Sequence, residues 1–427
     1  MFRRTRPLIN PVTVYLDDAP LPAERGEPLA VALIASDKVI LARSPKLHRP
    51  RGPSCLRGGC DGCLARVNGE PNVMTCLRPV SGGEQIETQN VIGSRKADFL
   101  RVTDWFFPQG IDHHHLLAGV PGVGDVMQTF ARKLAGLGRL PSHEEAPHRA
   151  RQLDVDAIVV GGGWAGTVVA SHLARNGRHV CLVDDAIAAS GSLTSSPARA
   201  AGLRSRHPLD GVTVLSPATA AGVYGGEVLV ASREGATVVR AHAKVFATGA
   251  HDAVLAVPNN DLPGIFSARA LCRLAADGIV PEGDIALVGE GFWADELSRS
   301  LGATVRVHVT AEQLVSVKGT ARVRAVVVRH GAREETINVV AVASATHGAP
   351  AFELAAQAGA ATRYDPARGY VVDTDARGRA GDRLWAVGEC RGSAMVPAAI
   401  EEEAENVAAD IQTALRAASY AGGSAFD

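Results

Sequence analysis

Short apolar segments separated by Gly, Pro and Asn dominate the first part of the chain. Four of them have the composition and the flanking turn residues of β-strands: VTVYL, VILARS, LARVNG and EQIET. Between the first two lies LAVALIAS, which is predicted to be a helix. Residues 1–95 are therefore expected to form a compact, mostly β unit. The next segment, 96–152, contains a helical MQTFARKLAGLG and a charged SHEEAPHRARQ, and we predict a linker with helical structure there.

A different pattern, in which a fully apolar strand is followed by a glycine turn and a helix, begins at Val155. The segment VDAIVVGGGWAGTVVASHLARNGRHVCLVDD is typical of a βαβ unit in a parallel sheet, whose strands are buried on both faces. A second such unit starts at Ile285. These alternating elements predict an α/β fold with two doubly wound, Rossmann-like dinucleotide domains, one inserted in the other. The expected outer domain comprises 153–258 and 346–427, and the inserted domain comprises 259–345.

Composition excludes several classes of protein. The 427 residues are 46% hydrophobic and 21% charged with a net charge of -1, which argues against disorder and against a polyanion-binding surface. Nucleic acid is not an expected partner. Because no run of 18 apolar residues occurs and the opening MFRRTRPLINP has no apolar signal core, we expect a cytoplasmic protein without a transmembrane segment.

Four of the seven cysteines lie within 22 residues, which favours a metal site in a reducing compartment over a disulfide framework. They are Cys55, Cys60, Cys63 and Cys76, spaced C-x4-C-x2-C-x12-C. The first three match the plant-type spacing, in which a loop wraps a [2Fe-2S] cluster and a later strand supplies the fourth thiolate. Such a loop must approach the bridging sulfides closely and adopt positive φ, which explains Gly58, Gly59 and Gly62 between the ligands.

The alternative to a [2Fe-2S] cluster is zinc, which normally uses two short C-x2-4-C knuckles, whereas only one is present. A cluster lost from a retained fold is a third interpretation. The scattered Cys181, Cys272 and Cys390 are expected to be packed, inert thiols. Because a [2Fe-2S] cluster carries one electron at a time and usually relays electrons from a two-electron flavin, a flavin is expected nearby.

The first glycine turn has the features of a dinucleotide site. Gly161, Gly163 and Gly166 form G-x-G-x-x-G between a strand and a helix, where they provide a tight turn, close approach to a pyrophosphate and helix packing. The pyrophosphate would meet the amino terminus of the helix. Asp184 follows 23 residues after Gly161 and can accept from ribose hydroxyls. Since a carboxylate opposes a 2'-phosphate, the ligand is expected to be FAD or NAD(H), not NADP(H).

Two further segments favour FAD. Ala247, Thr248 and Gly249 close the strand KVFATG, and Gly388 and Glu389 end the strand LWAVGE. Resemblance to two-dinucleotide flavoproteins implies that the ATG strand passes beneath the nucleotide and that the terminal acid binds the ribityl chain. A solvated surface carboxylate is the other interpretation of Glu389. Asp185 is interpreted as a helix-initiating or solvated acid.

The second glycine turn, in IALVGEGFWADELSRSLG, is less informative. Gly289, Gly291 and Ala294 form G-x-G-x-x-A, but the next strand ends without an acid and places His308 near the position of the ribose-binding carboxylate. This turn therefore binds a different nucleotide, such as an NADP-like or adenine ligand, or is a structural remnant that binds nothing.

Several segments resemble the heterotetrameric sarcosine oxidase α subunit, in its amino-terminal half, and its relatives in hydrogen cyanide synthase, opine oxidase and D-hydroxyproline dehydrogenase. The segments are RSPKLHRPRG (43–52), GLGRLP (136–141), ATGAHDAVLAVPNNDLPGI (247–265) and LWAVGE (384–389). The resemblance covers nearly the whole chain. The corresponding unit of sarcosine oxidase lacks the four cysteines. The chain ends at Asp427, without the folate-binding half or the cysteine-rich segment of some relatives, so tetrahydrofolate-coupled chemistry is not expected.

The resemblance implies an FAD-dependent oxidoreductase acting on CH–NH donors, with small amines or imino acids as substrates. A second flavin subunit would oxidise the amine and dock near Gly58–Gly62, and this chain would relay the electrons. No acid–base constellation stands out in the sequence, and the His113–His115 run is interpreted as a loop feature or a partner contact. The competing hypotheses are a stand-alone NAD(P)H-dependent FAD/[2Fe-2S] reductase and a non-enzymatic assembly protein.

Overall fold

A computed structural model describes residues 1–44, 47–91, 98, 149–187 and 191–422. Most of the predicted linker (96–152), the His113–His115 run and the segment GLGRLP lie outside the described residues. Within the described ranges, no helix is long and apolar enough to cross a membrane.

The amino-terminal unit is rich in β-structure, as the alternating pattern predicts. Its elements are β1 (Phe2–Arg4), β2 (Pro11–Leu16), β3 (Ala19–Glu24), α1 (Leu29–Ala35), β4 (Ala42–Arg43), β5 (Pro50–Arg51), β6 (Leu64–Val67), β7 (Glu70–Met74) and β8 (Gln85–Glu87). The main sheet has the order β3-β2-β8-β6-β7, with β2 and β8 parallel and the other neighbours antiparallel. The apolar residues of α1 are buried from Leu29 to Ile34, so this helix supplies much of the unit's core.

The outer dinucleotide domain begins with a βαβ unit. Its elements are β9 (Arg151–Val160), α2 (Trp164–Arg175), β10 (Val180–Val183), α3 (Pro197–Arg206), β11 (Val212–Leu215), β12 (Ala218–Tyr224), β13 (Glu227–Ser232) and β14 (Gly235–Phe246). The sheet order is β11-β10-β9-β14-β13-β12, and the β11-β10-β9-β14 portion is parallel. The last four residues of β9 (Ala157–Val160) and all of β10 are apolar and buried, because helices or further strands cover both faces.

The inserted domain contains a second parallel sheet. Its elements are β15 (Ala250–His251), β16 (Ile265–Ser267), α4 (Ala268–Ala276), β17 (Ile279–Pro281), β18 (Ile285–Gly289), α5 (Phe292–Leu301), β19 (Val305–Val309), β20 (Leu314–Gly319), β21 (Val323–His330), β22 (Arg333–Asn338) and β23 (Ala341–Ala345). The order β16-β23-β18-β19 is parallel throughout. Strands β21 and β22 form an antiparallel hairpin.

The chain then returns to the outer domain. The remaining elements are β24 (Ala349–Pro350), α6 (Glu353–Gln357), β25 (Thr362–Asp365), β26 (Gly369–Val372), β27 (Arg379–Gly381), β28 (Leu384–Ala386) and α7 (Pro397–Gly422). Strand β28 adds parallel to β14, and α7 packs on α2. The predicted fold class, nested Rossmann-like domains behind a β-rich unit, is confirmed, whereas the domain boundaries stay a prediction.

The amino-terminal unit packs on the inserted domain through a shared core. Strand β1 pairs antiparallel with β17, and the ring of Phe2 meets that of Phe266 edge-on at 5.4 Å. The backbone N–H of Ser267 donates to the carbonyl of Ser54 over 3.0 Å, next to the cysteine loop. These contacts fix the position of the cysteine loop relative to the dinucleotide domains.

Candidate functional site

The cysteine loop brings its sulfurs together in two pairs. The Sγ atoms of Cys63 and Cys76 are 3.4 Å apart, and the backbone N–H of Gly58 donates to Cys76 Sγ over 3.3 Å. Two thiolates bound to one tetrahedral ion at about 2.3 Å would lie about 3.7 Å apart, so the Cys63–Cys76 pair has nearly the spacing that one iron requires. Gly58 has a φ of 78°, as expected for a loop that turns an N–H toward sulfur.

The second sulfur pair is Cys55 and Cys60. A hydrogen bond from Cys55 lowers the pKa of Cys60 to about 6, and the same bond raises the pKa of Cys55. In the first pair, the hydrogen bond shared with Cys76 lowers the pKa of Cys63. In each pair, the hydrogen bond lowers the pKa of one of the two thiols. A [2Fe-2S] cluster takes two cysteines on each iron, so a two-plus-two arrangement fits it.

Among the described residues, no group of three or more His, Cys, Asp and Glu side chains is arranged to hold a metal ion. The ligand set Cys55, Cys60, Cys63 and Cys76 stays a prediction, supported by the pairing of the sulfurs.

A cavity of about 690 Å³ lies beside the cysteine loop, within the size range of cofactor sites. It collects most of the predicted FAD residues: Gly161, Gly163, Asp184, Ala247, Thr248, Gly249 and Glu389. Cys55, Gly58, Gly59 and Cys76 also line this cavity. The predicted dinucleotide site and the predicted cluster site are therefore neighbours.

The three glycines of the first turn have different surroundings. A Cβ on Gly161, whose φ is 106°, would lie 2.2 Å from the Ala247 carbonyl oxygen, and one on Gly166 would lie 1.8 Å from that of Gly161. Neither position has room for a side chain, because the turn and the first turn of α2 pack directly on neighbouring backbone. A Cβ on Gly163 would meet only Ser192 Oγ, at 3.9 Å. The second glycine therefore leaves open space where a pyrophosphate is expected to approach.

Asp184 organises this turn. Its side chain is buried, with the residue only 6% exposed; Oδ2 accepts from the Gly162 N–H at 2.6 Å, and Oδ1 accepts from Ala186 at 2.9 Å and Gly191 at 3.3 Å. A carboxylate offers about four acceptor sites, so one remains for a ribose hydroxyl. The strand-end acid could be recognised in the sequence, but its bonds to the glycine loop could not. The neighbouring Asp185 is exposed and also lines the cavity.

Glu389 lies at the other end of the cavity. Its side chain is 20% exposed and its Oε2 is 4.0 Å from Arg269 Nη1, so it is not a freely solvated surface acid. Gly249 lies opposite, since a Cβ built there would be 3.8 Å from Glu389 Oε2. Thr248 Oγ1 donates to the Ala351 carbonyl over 2.5 Å and so holds the strand end in place. Binding of a ribityl chain by Glu389 stays a prediction.

A charged network links the cysteine loop with the cavity, and sequence reasoning missed it. Arg57 from the loop and Arg269 from α4 flank Asp252. Burial alone would raise the pKa of Asp252, but the two guanidinium groups bring it below its usual value. The one signal in the sequence is an arginine in the first turn of the helix ARALCRLAA, whose other charged residue, Arg273, lies in the last turn.

The second glycine turn lies apart from this cavity. Gly289, Gly291 and Ala294 form the turn into α5, and none of them lines the cavity. His308 Nε2 lies 2.8 Å from the Gly289 carbonyl oxygen, so the histidine closes on the turn at the position expected for an acid. Both interpretations, a different nucleotide and a structural remnant, remain open.

The three cysteines outside the loop are expected to resist alkylation in the folded protein. Burial raises the pKa of Cys181 and of Cys272 to about 12, and it also raises the pKa of Cys390. They are therefore protonated and inaccessible at neutral pH. Iodoacetamide at pH 7.5, followed by peptide mass spectrometry, should modify them only after urea is added. Rapid labelling of any of the three without urea would contradict their assignment as packed thiols.

Two protein families match separate parts of the chain, which correspond to the amino-terminal unit and to the dinucleotide domains. Residues 10–91 match the 2Fe-2S iron-sulfur cluster binding domain, and residues 155–317 match the pyridine nucleotide-disulphide oxidoreductase family. The match over 10–91 includes the whole cysteine loop, and the match over 155–317 begins at the strand that precedes the first glycine turn.

Individual relatives agree with these matches. The sarcosine oxidase subunit alpha of Rhizobium meliloti (strain 1021) is 27% identical over 404 residues, which cover 82% of this chain and 41% of that protein. The subunit alpha of Corynebacterium sp. (strain P-1) is 26% identical over 288 residues, 61% of this chain and 26% of that protein. The chain thus spans less than half the length of these relatives.

A solved structure shares the fold. The crystal structure of L-proline dehydrogenase from P. horikoshii superposes with a TM-score of 0.73 at 21% identity, covering 96% of this chain and 75% of that one. The chain therefore has a 2Fe-2S domain followed by an FAD-binding domain of the pyridine nucleotide-disulphide oxidoreductase type, and over most of its length it is similar to the sarcosine oxidase alpha subunit.

Proposed function

We propose that this chain is the FAD and [2Fe-2S] electron-transfer subunit of a flavin-dependent amine or imino-acid dehydrogenase or oxidase complex. The observation that carries the proposal is that one cavity is lined both by the cysteine loop, through Cys55 and Cys76, and by the first dinucleotide turn, through Gly161 and Gly163. Two redox groups held there would be close enough to exchange electrons.

The residues of the cavity have separate tasks in this proposal. The turn at Gly163 and the amino terminus of α2 would bind the pyrophosphate of FAD, and Asp184 would bind its ribose. The four cysteines would hold the cluster, with N–H groups such as that of Gly58 directed at sulfur. When bound, FAD supplies two-electron chemistry and the cluster supplies one-electron transfer. The protein contributes binding, fixed spacing and charge.

The proposal places amine oxidation on a second, flavin-containing subunit. The relatives in Rhizobium and Corynebacterium are named as alpha subunits, which supports a hetero-oligomer. Their names, and that of the structural relative, refer to sarcosine and L-proline, so a small secondary amine or imino acid is the proposed substrate class. A cytoplasmic location stays part of the proposal.

The proposed docking edge is the outer rim of the cysteine loop. Cys60 is the most accessible of the four cysteines, and its neighbours Gly59 and Asp61 are exposed. Within the described part of the chain, the exposed residues of this rim would let a partner seated there approach the cluster directly. An interface with an apolar centre would make the complex stable enough to purify.

Blocking this rim should impair transfer between subunits. Asp61 is exposed at this rim and, unlike Gly59, does not line the cavity, so Asp61→Trp adds bulk on the docking side of the loop. We expect amine-driven reduction of the cluster to slow by roughly tenfold to a hundredfold, because positioning errors of an ångström have effects of that size. Ala201→Trp, on the exposed face of α3, is the control. Normal transfer in Asp61→Trp with unchanged cofactor content would place the partner elsewhere.

The function itself is tested by a dye-linked assay. The isolated chain is supplied with sarcosine, proline, hydroxyproline and opines, with and without the flavoproteins encoded beside it. We expect turnover only when both chains are present. Rapid amine oxidation by the isolated chain would overturn the division of labour. Bleaching of its bound FAD by NADH or NADPH within seconds would instead support the stand-alone reductase.

A further inference from the structure

Arg269 is a buried cation between the two proposed redox sites. Its residue is only 5% exposed, and its guanidinium donates to Asp252 and, over 3.2 Å, to the Ala250 carbonyl. The ring of Trp293 lies 5.6 Å from its Cζ. The planar, forked guanidinium suits this combination of hydrogen bonds and ring stacking, which a lysine could not reproduce.

The positive charge of Arg269 interacts with residues of both predicted cofactor sites. Burial alone would lower the pKa of Arg269, but Asp252, Glu389 and Cys55 bring it above the ordinary value. Glu389 belongs to the predicted FAD site, and Cys55 belongs to the predicted cluster site. Because an arginine cannot lose its proton in a protein, this positive charge is constant at all working pH values.

The surrounding structure keeps Arg269 in place. Helix α4 begins after Ser267, whose Oγ accepts from the Ala270 N–H over 3.1 Å, and whose own N–H is bonded to Ser54 beside the cysteine loop. The helix end that carries Arg269 is thus tied directly to the segment that carries Cys55.

Asp252 is the counter-charge of this network. Its Oδ1 accepts from Arg269, whereas its buried Oδ2 lies 3.8 Å from Arg57 Nε, and neither of those two atoms has a hydrogen bond. Arg57 lies between Cys55 and Cys60 in the sequence and donates to the Ala250 carbonyl. Two arginines and one aspartate therefore occupy the boundary between the cysteine loop and the cavity.

We propose that Arg269 is a positioning residue that sets the reduction potentials of FAD and of the cluster together, with Asp252 acting in the opposite direction. The inference rests on the proposed function. One-electron reduction of the cluster adds one negative charge, and two-electron reduction of FAD with uptake of one proton also adds one; a nearby guanidinium stabilises this charge and a nearby carboxylate disfavours it. Arg269 and Asp252 therefore each shift the two potentials in one direction, while the difference between the potentials, which drives transfer between the sites, changes little.

The test is a spectroelectrochemical titration of the purified holoprotein, in which FAD and cluster are followed at separate wavelengths. Arg269→Gln should shift both midpoint potentials to more negative values. At a fixed solution potential, the ratio of reduced to oxidised cluster should fall by roughly tenfold, the change expected for a unit charge about 12 Å away that acts through an effective dielectric constant of about 20. Asp252→Asn should shift both potentials to more positive values. Arg269→Lys should retain most of the wild-type potentials.

The variants separate tuning from a merely structural role. Damage to the fold would move the potentials of Arg269→Gln and Asp252→Asn without regard to sign, whereas the inference requires opposite signs and near-cancellation in the double variant. Arg299→Gln, on the exposed face of α5, controls for loss of a remote charge. If Arg269→Gln does not fold, Asp252→Asn alone decides. The inference requires that both midpoint potentials become more positive in this variant, and it is overturned if either potential does not.

Failure of the proposed function gives a different result. Wild-type protein that lacks FAD or iron after anaerobic purification contradicts the proposed function before any titration begins. Wild-type protein that contains both groups, with potentials that do not respond to Arg269→Gln or Asp252→Asn, contradicts only the inference. A shift confined to one of the two centres also overturns the coupling proposed here.

Discussion

Cys60→Ser is expected to remove the iron–sulfur cluster while FAD remains bound. Cys60 carries the lowered pKa in its pair and is the most accessible of the four sulfurs, so serine there removes a ligand with little change to the core. A cluster that has lost one of four thiolates loses most of its binding free energy. Iron content should fall to below about a tenth of the wild-type value, and the visible absorption and the paramagnetic signal of the reduced protein should disappear.

A matched variant shows whether the effect belongs to the loop. Cys272→Ser makes the same atomic change at a buried cysteine in α4 and should retain iron, at a cost of about 1–3 kcal/mol in stability for burying a hydroxyl. Stoichiometric zinc and no iron in anaerobically prepared wild-type protein would show that the cysteines hold zinc instead.

The second large effect is expected for Gly163→Val, which should give flavin-free protein. The backbone at Gly163 has a φ of -72°, and a Cβ there has no contact shorter than 3.9 Å, so the apoprotein can accept the new side chain. The side chain would occupy the space through which the pyrophosphate approaches the helix terminus. We expect affinity for FAD to fall by about a hundredfold or more, measured as bound flavin per chain and by calorimetry.

The neighbouring glycines are unsuitable for this test, because side chains at Gly161 or Gly166 would collide with backbone and disturb the fold itself. Gly202→Val is the control, since its Cβ would meet only the flexible Arg206 guanidinium, at 3.5 Å. An unchanged melting temperature together with lost FAD in Gly163→Val would support the site. Full FAD occupancy in that variant would show that this turn does not hold the pyrophosphate.

Features with a local spacing could be predicted from the sequence. Tight turns and metal-binding loops require particular backbone conformations, and these fix the spacing of the glycines in both turns and of the cysteines in the loop. The structure shows the expected tight turn at Gly161 and the expected helix packing at Gly166. Apolar periodicity likewise predicts the buried strands β9 and β18. Ligand contacts of these residues stay predictions.

Features that depend on distant segments could not be predicted. The pairing of β1 with β17 joins residues nearly three hundred positions apart, and neither short strand has a distinctive pattern. The same is true of Arg57 and Arg269, which meet at Asp252 only because the amino-terminal unit packs on the inserted domain. A single buried arginine in a helix gives no indication of its partner.

The surroundings of Asp184 and His308 could be predicted only in part from the sequence. The sequence places both at the ends of corresponding strands, and both side chains contact their glycine turns. Asp184 lines a large cavity, whereas His308 does not. The sequence predicts which residue lies at each strand end, but it does not predict whether a cavity lies beside that residue, because the cavity depends on packing between domains.

The most direct test of the relay is rapid-freeze electron paramagnetic resonance of the purified chain mixed anaerobically with amine, with and without the partner flavoprotein. The reduced cluster has a paramagnetic signal, so its appearance reports arrival of an electron at the cysteine loop. We predict that the signal develops within the time of one turnover only when amine and partner are both present, and that it is lost in Cys60→Ser. A signal of full intensity from amine and the isolated chain would contradict the account.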